Sequence, residues 1–153
     1  MARRFPNWLK SYEAYARDNY CPAAFHKWTG LTILAAALER KVWCVNGKII
    51  FYPNIFTMLV TYAGVGKSTA LDRGTDLLER IKAEVNPDLK LIAEQITEPG
   101  LVKDMEERQE IRLTETKHMF HSSGFFFASE ASASALQNTH GTFTSTITRF
   151  YDC

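Results

Sequence analysis

Apolar residues in the first forty positions recur at helical spacing, which predicts two successive helices. Asn7 can cap the first helix, which we expect to reach about residue 18. The second is expected to start after Pro22, and its broad apolar stripe indicates packing between helices rather than a ligand site. That stripe consists of Phe25, Trp28, Leu31, Leu34, Ala35 and Leu38. His26, in the same helix, is therefore predicted to be structural or exposed.

After residue 40 the pattern changes to short apolar runs separated by helical stretches. Asn46-Gly47 divides two β-prone runs and predicts a type I′ hairpin turn, because both residues tolerate positive φ. "IFTMLV" (residues 55–60) is continuously apolar, like a strand buried on both faces of a parallel sheet, and residues 89–96 and 125–129 predict two more. Helices are predicted at residues 67–85, 97–110 (capped by Thr97), 131–137 and 142–151, with residues 111–120 unassigned. The alternation predicts an α/β parallel-sheet core behind a helical segment.

Composition places the chain among ordinary globular proteins. Its 153 residues suit one domain, 46% are apolar and 23% charged, and the net charge is +1. Three cysteines without a C-x-x-C pattern suggest neither a disulfide framework nor a zinc site, so we expect a reducing, cytoplasmic location. The most apolar run, "GLTILAAAL", is about half of the ~20 residues that span a bilayer, so no membrane partner is expected.

The stretch "TYAGVGKST" (residues 61–69) matches the phosphate-loop pattern G-x-x-x-x-G-K-[ST], or Walker A, except at its first glycine. Gly64 and Gly66 allow the backbone to turn and approach a phosphate closely, Lys67 can reach the β- and γ-phosphates, and Ser68 can ligate Mg²⁺. The pattern predicts that ATP and Mg²⁺ bind here. The predicted binding residues are Ala63, Gly64, Val65, Gly66, Lys67, Ser68 and Thr69.

Thr61 replaces the first glycine of the pattern. A β-branched residue is restrained to negative φ, so the loop is expected to leave the preceding strand without an immediate bend. Because Thr61 lies at the junction rather than against the phosphates, the cradle itself is expected to survive.

The run "FFFASE" is the candidate for the second, acidic motif of such sites. Ser129 stands where an Asp is usual, and Glu130 follows it. Glu130 either orients the attacking water as catalytic base or holds the metal's water shell while the base lies elsewhere. A third interpretation is that Glu130 only caps the next helix. The predicted catalytic residues are Lys67 and Glu130, and the predicted metal ligands are Ser68 and Glu130.

Two further groups are weaker candidates. His118 and His121 have a spacing that could suit a metal, but no third ligand is near, which favours a surface interpretation. Arg108, Arg112 and Arg149 could each act as an arginine finger on a neighbour's nucleotide, and no feature distinguishes one of them.

The order of these segments resembles the ATPase core of phage- and plasmid-type replicative helicase or primase-helicase proteins. The residues that carry the resemblance are "YEAYARDNYCPAAFHKWTGLTILAAALERKVW", the hairpin, "YPNIFTMLVTYAGVGKSTAL", "IAEQITEPGLVKDMEE" and "FFFASEASASAL". It implies a RecA-like or AAA-like P-loop core at residues 41–153 behind a helical N-terminal segment at residues 1–40. It also implies an ATP-driven motor that assembles as a ring on DNA, with single-stranded DNA as the expected partner. Such families continue beyond the point where this chain ends, which predicts a core truncated at its C-terminus.

Two other functions are compatible with the sequence. A small-molecule or nucleoside kinase would use the same loop and Mg²⁺, but needs a lid with clustered arginines. A truncated P-loop domain that serves assembly rather than hydrolysis would explain Ser129.

Overall fold

The computed structural model of the chain describes residues 7–17, 20–92, 96–107, 110–113 and 118–128. They belong to two compact units, each assembled from two stretches of chain. The first unit comprises Met1–Leu38 and Pro53–Leu89, and the second comprises Glu39–Tyr52 and Lys90–Cys153. The fold is mixed α/β, with a helical N-terminal segment and a two-stranded antiparallel hairpin, as the sequence predicted. The predicted division after residue 40 stays a prediction.

Helix α1 (Trp8–Ala16) begins where the sequence predicted. The Asn7 side chain accepts a hydrogen bond from the amide of Lys10 at 3.0 Å. This bond satisfies one of the amides that the first turn of a helix leaves unpaired. Tyr12 and Ala16, one turn apart, are buried and fix the inward face of α1.

Helix α2 (Ala23–Leu38) forms as predicted, but of the predicted stripe only Ala35 is fully buried. Its buried residues are His26, Thr29, Gly30, Ile33 and Ala35, whereas Trp28 of the predicted stripe is 51% exposed. The face is selected by close approach: a Cβ on Gly30 would lie 2.7 Å from Cδ1 of Tyr12. Apolar residues surround α2 on nearly every side, so periodicity alone could not identify the buried face.

Helix α3 (Lys67–Glu84) packs against α2 through a second glycine. A Cβ on Gly74 would lie 2.6 Å from Cγ2 of Thr29 and 2.7 Å from Cδ1 of Ile33. Ala70, Gly74 and Leu78 form the buried stripe at intervals of four residues. The three helices therefore form the core of the first unit.

The hairpin pairs β1 (Cys44–Asn46) with β2 (Ile49–Phe51). Because Asn46 pairs with Ile49, the two turn residues are Gly47 and Lys48, one position later than predicted. Gly47 has a φ of 63°, and Glu39 is the single non-glycine residue with positive φ in the described part of the chain. Positive φ at the first turn position alone matches a type II′ turn, so the type I′ prediction is wrong.

The strand predicted at residues 55–60 is not formed. This segment has no regular secondary structure. Three of its apolar side chains are exposed, Phe56 by 60%, Met58 by 59% and Val60 by 78%. A strand requires a neighbour for its backbone hydrogen bonds, and no described strand pairs with this segment. A hydroxyl hydrogen bond of 2.7 Å between Thr32 and Thr57 joins it to α2.

The second unit contains the parallel pairing that the sequence predicted, but over a short length. β3 (Leu91–Ile92) lies parallel to β6 (Phe125–Phe126), so the predicted strands at 89–96 and 125–129 are two residues long in the described part of the chain. Helix α4 (Glu98–Glu107) begins after Thr97, whose hydroxyl accepts from the Gly100 amide at 3.3 Å. The core consists of Ile92 and Leu101, with Ile96, Met105 and Phe126 packed against them.

Within residues 111–120, unassigned from the sequence, the described residues 111–113 and 118–120 belong to two antiparallel strands. β4 (Glu110–Leu113) pairs with β5 (His118–His121), and α4 ends before them, three residues earlier than predicted. The helices predicted at 131–137 and 142–151 lie outside the described residues. No helix in the described ranges combines the length and apolar character needed to cross a bilayer.

Candidate phosphate-binding loop

The loop before α3 turns through two glycines with left-handed backbone. Gly64 has a φ of 85° and Gly66 a φ of 78°, while Val65 between them has negative φ. Only glycine adopts positive φ without strain, and such alternation turns successive amides toward a common concavity. Thr61 has negative φ, as predicted from its β-branched side chain. Both glycines of the motif are therefore used for their conformation.

The amides that follow this turn are available to an anion. From Val65 to Thr69, no amide has a hydrogen-bond partner within the described part of the chain, and the first paired amide is that of Ala70, which donates to the Gly66 carbonyl at 3.1 Å. The first turn of a helix leaves its amides unpaired and carries partial positive charge. No acidic residue lies in the first turn of α3 to compete with an anion.

The side chains at the loop leave this face open. Gly64, Ser68 and Thr69 are exposed, and Lys67 is half-buried. A Cβ on Gly64 would meet no heavy atom within 4 Å. Lys67 has no ion-pair partner among the residues that the structure describes, so its charge is available to a ligand.

The opposite side of the loop packs on the segment that leads into α2. A Cβ on Gly66 would lie 2.8 Å from Cβ of Cys21 and 2.9 Å from the carbonyl oxygen of Tyr20. Gly66 is thus required twice, for its positive φ and for this close approach. The sequence pattern gave no signal that Tyr20 and Cys21 support the loop.

Cys21 also contacts a buried histidine. Its Sγ lies 2.6 Å from Nε2 of His26, which is 3% exposed. Burial raises the pKa of the Cys21 thiol and lowers the pKa of the His26 imidazole, because each charged form would lose solvation. Burial therefore favours the neutral form of each group.

Tyr12, next to this region, has a buried hydroxyl with no hydrogen-bond partner. Loss of solvation, followed by the neighbouring Tyr15 and Cys21, raises the pKa of Tyr12 to about 12. The side chain is a packing element between α1 and α2, and its hydroxyl is not aimed at a partner group.

Of the other predicted site residues, four lie outside the described part of the chain and three lie in strands of the second unit. Ser129, Glu130, Arg108 and Arg149 lie outside the described residues, and Arg112 lies in β4. The two histidines begin and end β5. Across the described ranges, no three His, Cys, Asp or Glu residues are grouped so as to hold a metal ion.

The loop nevertheless fits Mg²⁺ as phosphate sites hold it. Mg²⁺ is usually bound by few protein ligands together with substrate phosphates and water, rather than by a cage of side chains. Ser68 offers an exposed hydroxyl in the first turn of α3, beside the unpaired amides. One hydroxyl next to an open anion cradle is the donor set that such a site needs.

Comparisons of this chain with protein-family models, curated proteins and solved structures gave no match.

Proposed function

We propose that residues 63–69 bind the triphosphate of ATP and that the chain is the ATP-binding module of a P-loop ATPase. One observation carries the proposal: Gly64 and Gly66 adopt positive φ directly before α3 and leave the amides of Val65 to Thr69 without partners. Amides at an exposed helix start are hydrated when no ligand is bound. An open run of such amides behind two glycines is suited to a ligand rich in acceptor oxygens.

Each side chain of the loop has a role that follows from its chemistry. The Lys67 ammonium would contact the β- and γ-phosphate oxygens and stabilise the charge that develops when the terminal phosphate leaves. The Ser68 hydroxyl would hold Mg²⁺, which supplies charge neutralisation between the phosphates. Glu130 is proposed to orient the attacking water or to hold the metal's water shell.

We also propose that the mixed α/β fold is a P-loop-type core with a parallel sheet. Its support is the parallel register of β3 and β6. The biological setting rests on the resemblance alone: a cytoplasmic, mobile-element DNA replication protein of the helicase or primase-helicase class. Single-stranded DNA and further copies of the chain are its proposed partners.

Nucleotide binding is tested by titrating a fluorescent ATP analogue with Mg²⁺ into wild-type protein and a Lys67→Ala variant. Lys82→Ala is the matched control, because it removes the same charge from the other end of α3. A charge-assisted hydrogen bond contributes about 1.5–3 kcal/mol, so Lys67→Ala should weaken binding on the order of 10- to 100-fold. AMP should compete poorly, since it lacks the β- and γ-phosphates that the loop is proposed to bind. Equal affinity in the wild type and Lys67→Ala would refute the proposal.

Ser129 favours a second candidate function, a P-loop domain that binds nucleotide but serves assembly. ATP turnover with and without single-stranded DNA separates the two, with Glu130→Gln as the variant that should abolish any turnover. Turnover stimulated by DNA supports the motor. Binding without turnover, coupled to a change in oligomeric state, supports the assembly domain. Phosphate transfer to a small acceptor would instead indicate a kinase.

A further inference from the structure

The hairpin of β1 and β2 presents both of its faces to solvent. Every residue of the two strands is exposed, including the apolar side chains Val45, Ile49, Ile50 and Phe51. A hairpin of two strands is marginally stable in water, and a continuous exposed apolar surface marks a site of interaction. The hairpin is therefore a candidate surface for a partner.

The strand register assigns two aromatic rings to one face of the hairpin. Val45 pairs with Ile50, so these two side chains share a face. Trp43, which is 46% exposed, lies two residues before Val45. Tyr52 lies two residues after Ile50. Because side chains alternate along a strand, both rings belong to the same face, whereas the opposite face has the single ring of Phe51. This aromatic face consists of Trp43, Val45, Ile50 and Tyr52.

Positive charge lies at both ends of the hairpin. The Arg40 guanidinium is 4.7 Å from the centroid of the Tyr52 ring, at the open end. Lys48, in the turn, is exposed and has no ion-pair partner in the part of the chain that the structure describes. The hairpin itself contains no acidic side chain, and the neighbouring Glu39 is buried and paired with Lys41. The surface thus combines exposed aromatic rings with positive charge and offers no exposed carboxylate of its own.

Single-stranded nucleic acid complements both properties. Its phosphates carry the opposite charge, and its unpaired bases have flat faces that stack on aromatic side chains. In a duplex these base faces are covered by neighbouring bases, so the rings would find no stacking surface there. A second copy of the hairpin would offer no negative charge to the cations. The four steps from Lys48 to Tyr52 span about 14 Å along the strand, so one nucleic-acid strand can contact both ends.

We propose that the aromatic face of the hairpin binds single-stranded nucleic acid. Bases stack on Trp43 and Tyr52, while Arg40 and Lys48 contact phosphates at the two ends. The inference rests on the proposed function for its setting, because it locates the surface that receives the single-stranded DNA partner. The contact itself requires no nucleotide. Stacking and charge are common to DNA and RNA, so strands of both kinds should bind.

Binding is measured with the full chain, without ATP, by fluorescence anisotropy of a labelled oligo(dT) of about 15 nucleotides. Trp43→Leu keeps an apolar side chain but removes the ring, and should weaken binding about 5- to 150-fold, the range for losing one stacked base. Trp43→Phe keeps a ring and should stay closer to the wild type. Phe51→Leu is the matched control, because it removes an exposed ring from the opposite face, and it should leave the affinity unchanged.

Salt dependence tests the charge at the turn. Each phosphate contact with a single strand contributes about 0.7 to the slope of log affinity against log salt concentration. Lys48→Ala should therefore reduce this slope by about 0.7 and weaken binding at low salt. Lys10→Ala removes an exposed lysine from α1 and should leave the slope unchanged. This measurement stands by itself if circular dichroism shows that a substitution of Trp43 disturbs the fold.

Three results would overturn the inference. The first is a wild type that binds no oligo(dT) at low salt. The second is equal affinity in the wild type, Trp43→Leu and Phe51→Leu, together with an unchanged slope in Lys48→Ala. The third is binding to phosphatidylserine vesicles that oligo(dT) does not displace, which would indicate a membrane surface. Oligo(U) that competes with oligo(dT) would support it.

The inference and the proposed function fail separately. A protein that binds oligo(dT) with the expected effects of Trp43→Leu and Lys48→Ala, but binds no ATP, would refute the proposed function and support the hairpin as the nucleic-acid surface. A protein that binds ATP but no oligo(dT) would refute the hairpin alone.

Discussion

Replacing Gly66 by alanine tests whether the loop is held against the chain before α2. Gly66 has a φ of 78°, and left-handed backbone costs about 1–2 kcal/mol in an alanine. The new Cβ would also lie 2.8 Å from Cβ of Cys21 and 2.9 Å from the Tyr20 carbonyl oxygen. These atoms cannot rotate away as the end of a long side chain could, and overpacking of this kind costs about 1–3 kcal/mol. We expect Gly66→Ala to lower the free energy of unfolding by about 2–5 kcal/mol.

Gly64→Ala is the matched control. Its φ of 85° brings the same backbone strain, but no heavy atom lies within 4 Å of the added Cβ. We expect a loss of about 1–2 kcal/mol. Both substitutions reduce the freedom of the unfolded chain equally, so this contribution cancels when the two are compared.

The assay is urea unfolding followed by tryptophan fluorescence, to which Trp8 and Trp28 contribute from the first unit. The difference between the two variants isolates the close approach and should be about 1–3 kcal/mol. Equal losses for Gly64→Ala and Gly66→Ala would show that the loop does not pack on Tyr20 and Cys21.

Three further predictions concern the helices of the first unit. Tyr12→Phe removes a buried hydroxyl that has no hydrogen-bond partner, so it should raise the free energy of unfolding by about 1–3 kcal/mol in urea unfolding. A lower free energy of unfolding would show that the hydroxyl is hydrogen-bonded. Asn7→Ala removes the cap of α1 and should cost about 1 kcal/mol in thermal unfolding, whereas Asn7→Ser should cost less. Burial lowers the pKa of His26 in the folded state, so the unfolded state binds its proton more readily. The His26 contribution should therefore be complete above about pH 6.5 and be lost as the pH falls, and a His26→Gln variant should show a flatter acid limb in unfolding measured between pH 7 and 5.

The helices were predictable from the sequence because their signals are local. The Asn7 cap, Pro22 before α2 and the loop before Lys67 each mark a helix start that the structure confirms. These signals depend on residues within one turn of each other, so no tertiary information is needed.

Strand pairing and helix faces were predicted less well because they depend on distant partners. Residues 55–60 have a strand-like composition, yet a strand forms only where another supplies its hydrogen bonds. The buried face of α2 is determined by Gly30 and Gly74, which permit close packing that periodicity does not encode. In the candidate site, the motif predicted which glycines turn the loop, but the support from Cys21 comes from tertiary packing.

The central claim is that the main-chain amides from Val65 to Thr69 bind phosphate, and amide chemical shifts report on them directly. Uniformly ¹⁵N-labelled protein would be titrated with Mg²⁺-ATP and, separately, with AMP. We predict that ATP shifts the amide resonances of Val65, Gly66, Lys67, Ser68 and Thr69 strongly and that AMP leaves them nearly unchanged. Resonances of this loop that stay unchanged at saturating ATP, whether or not others move, would contradict the account.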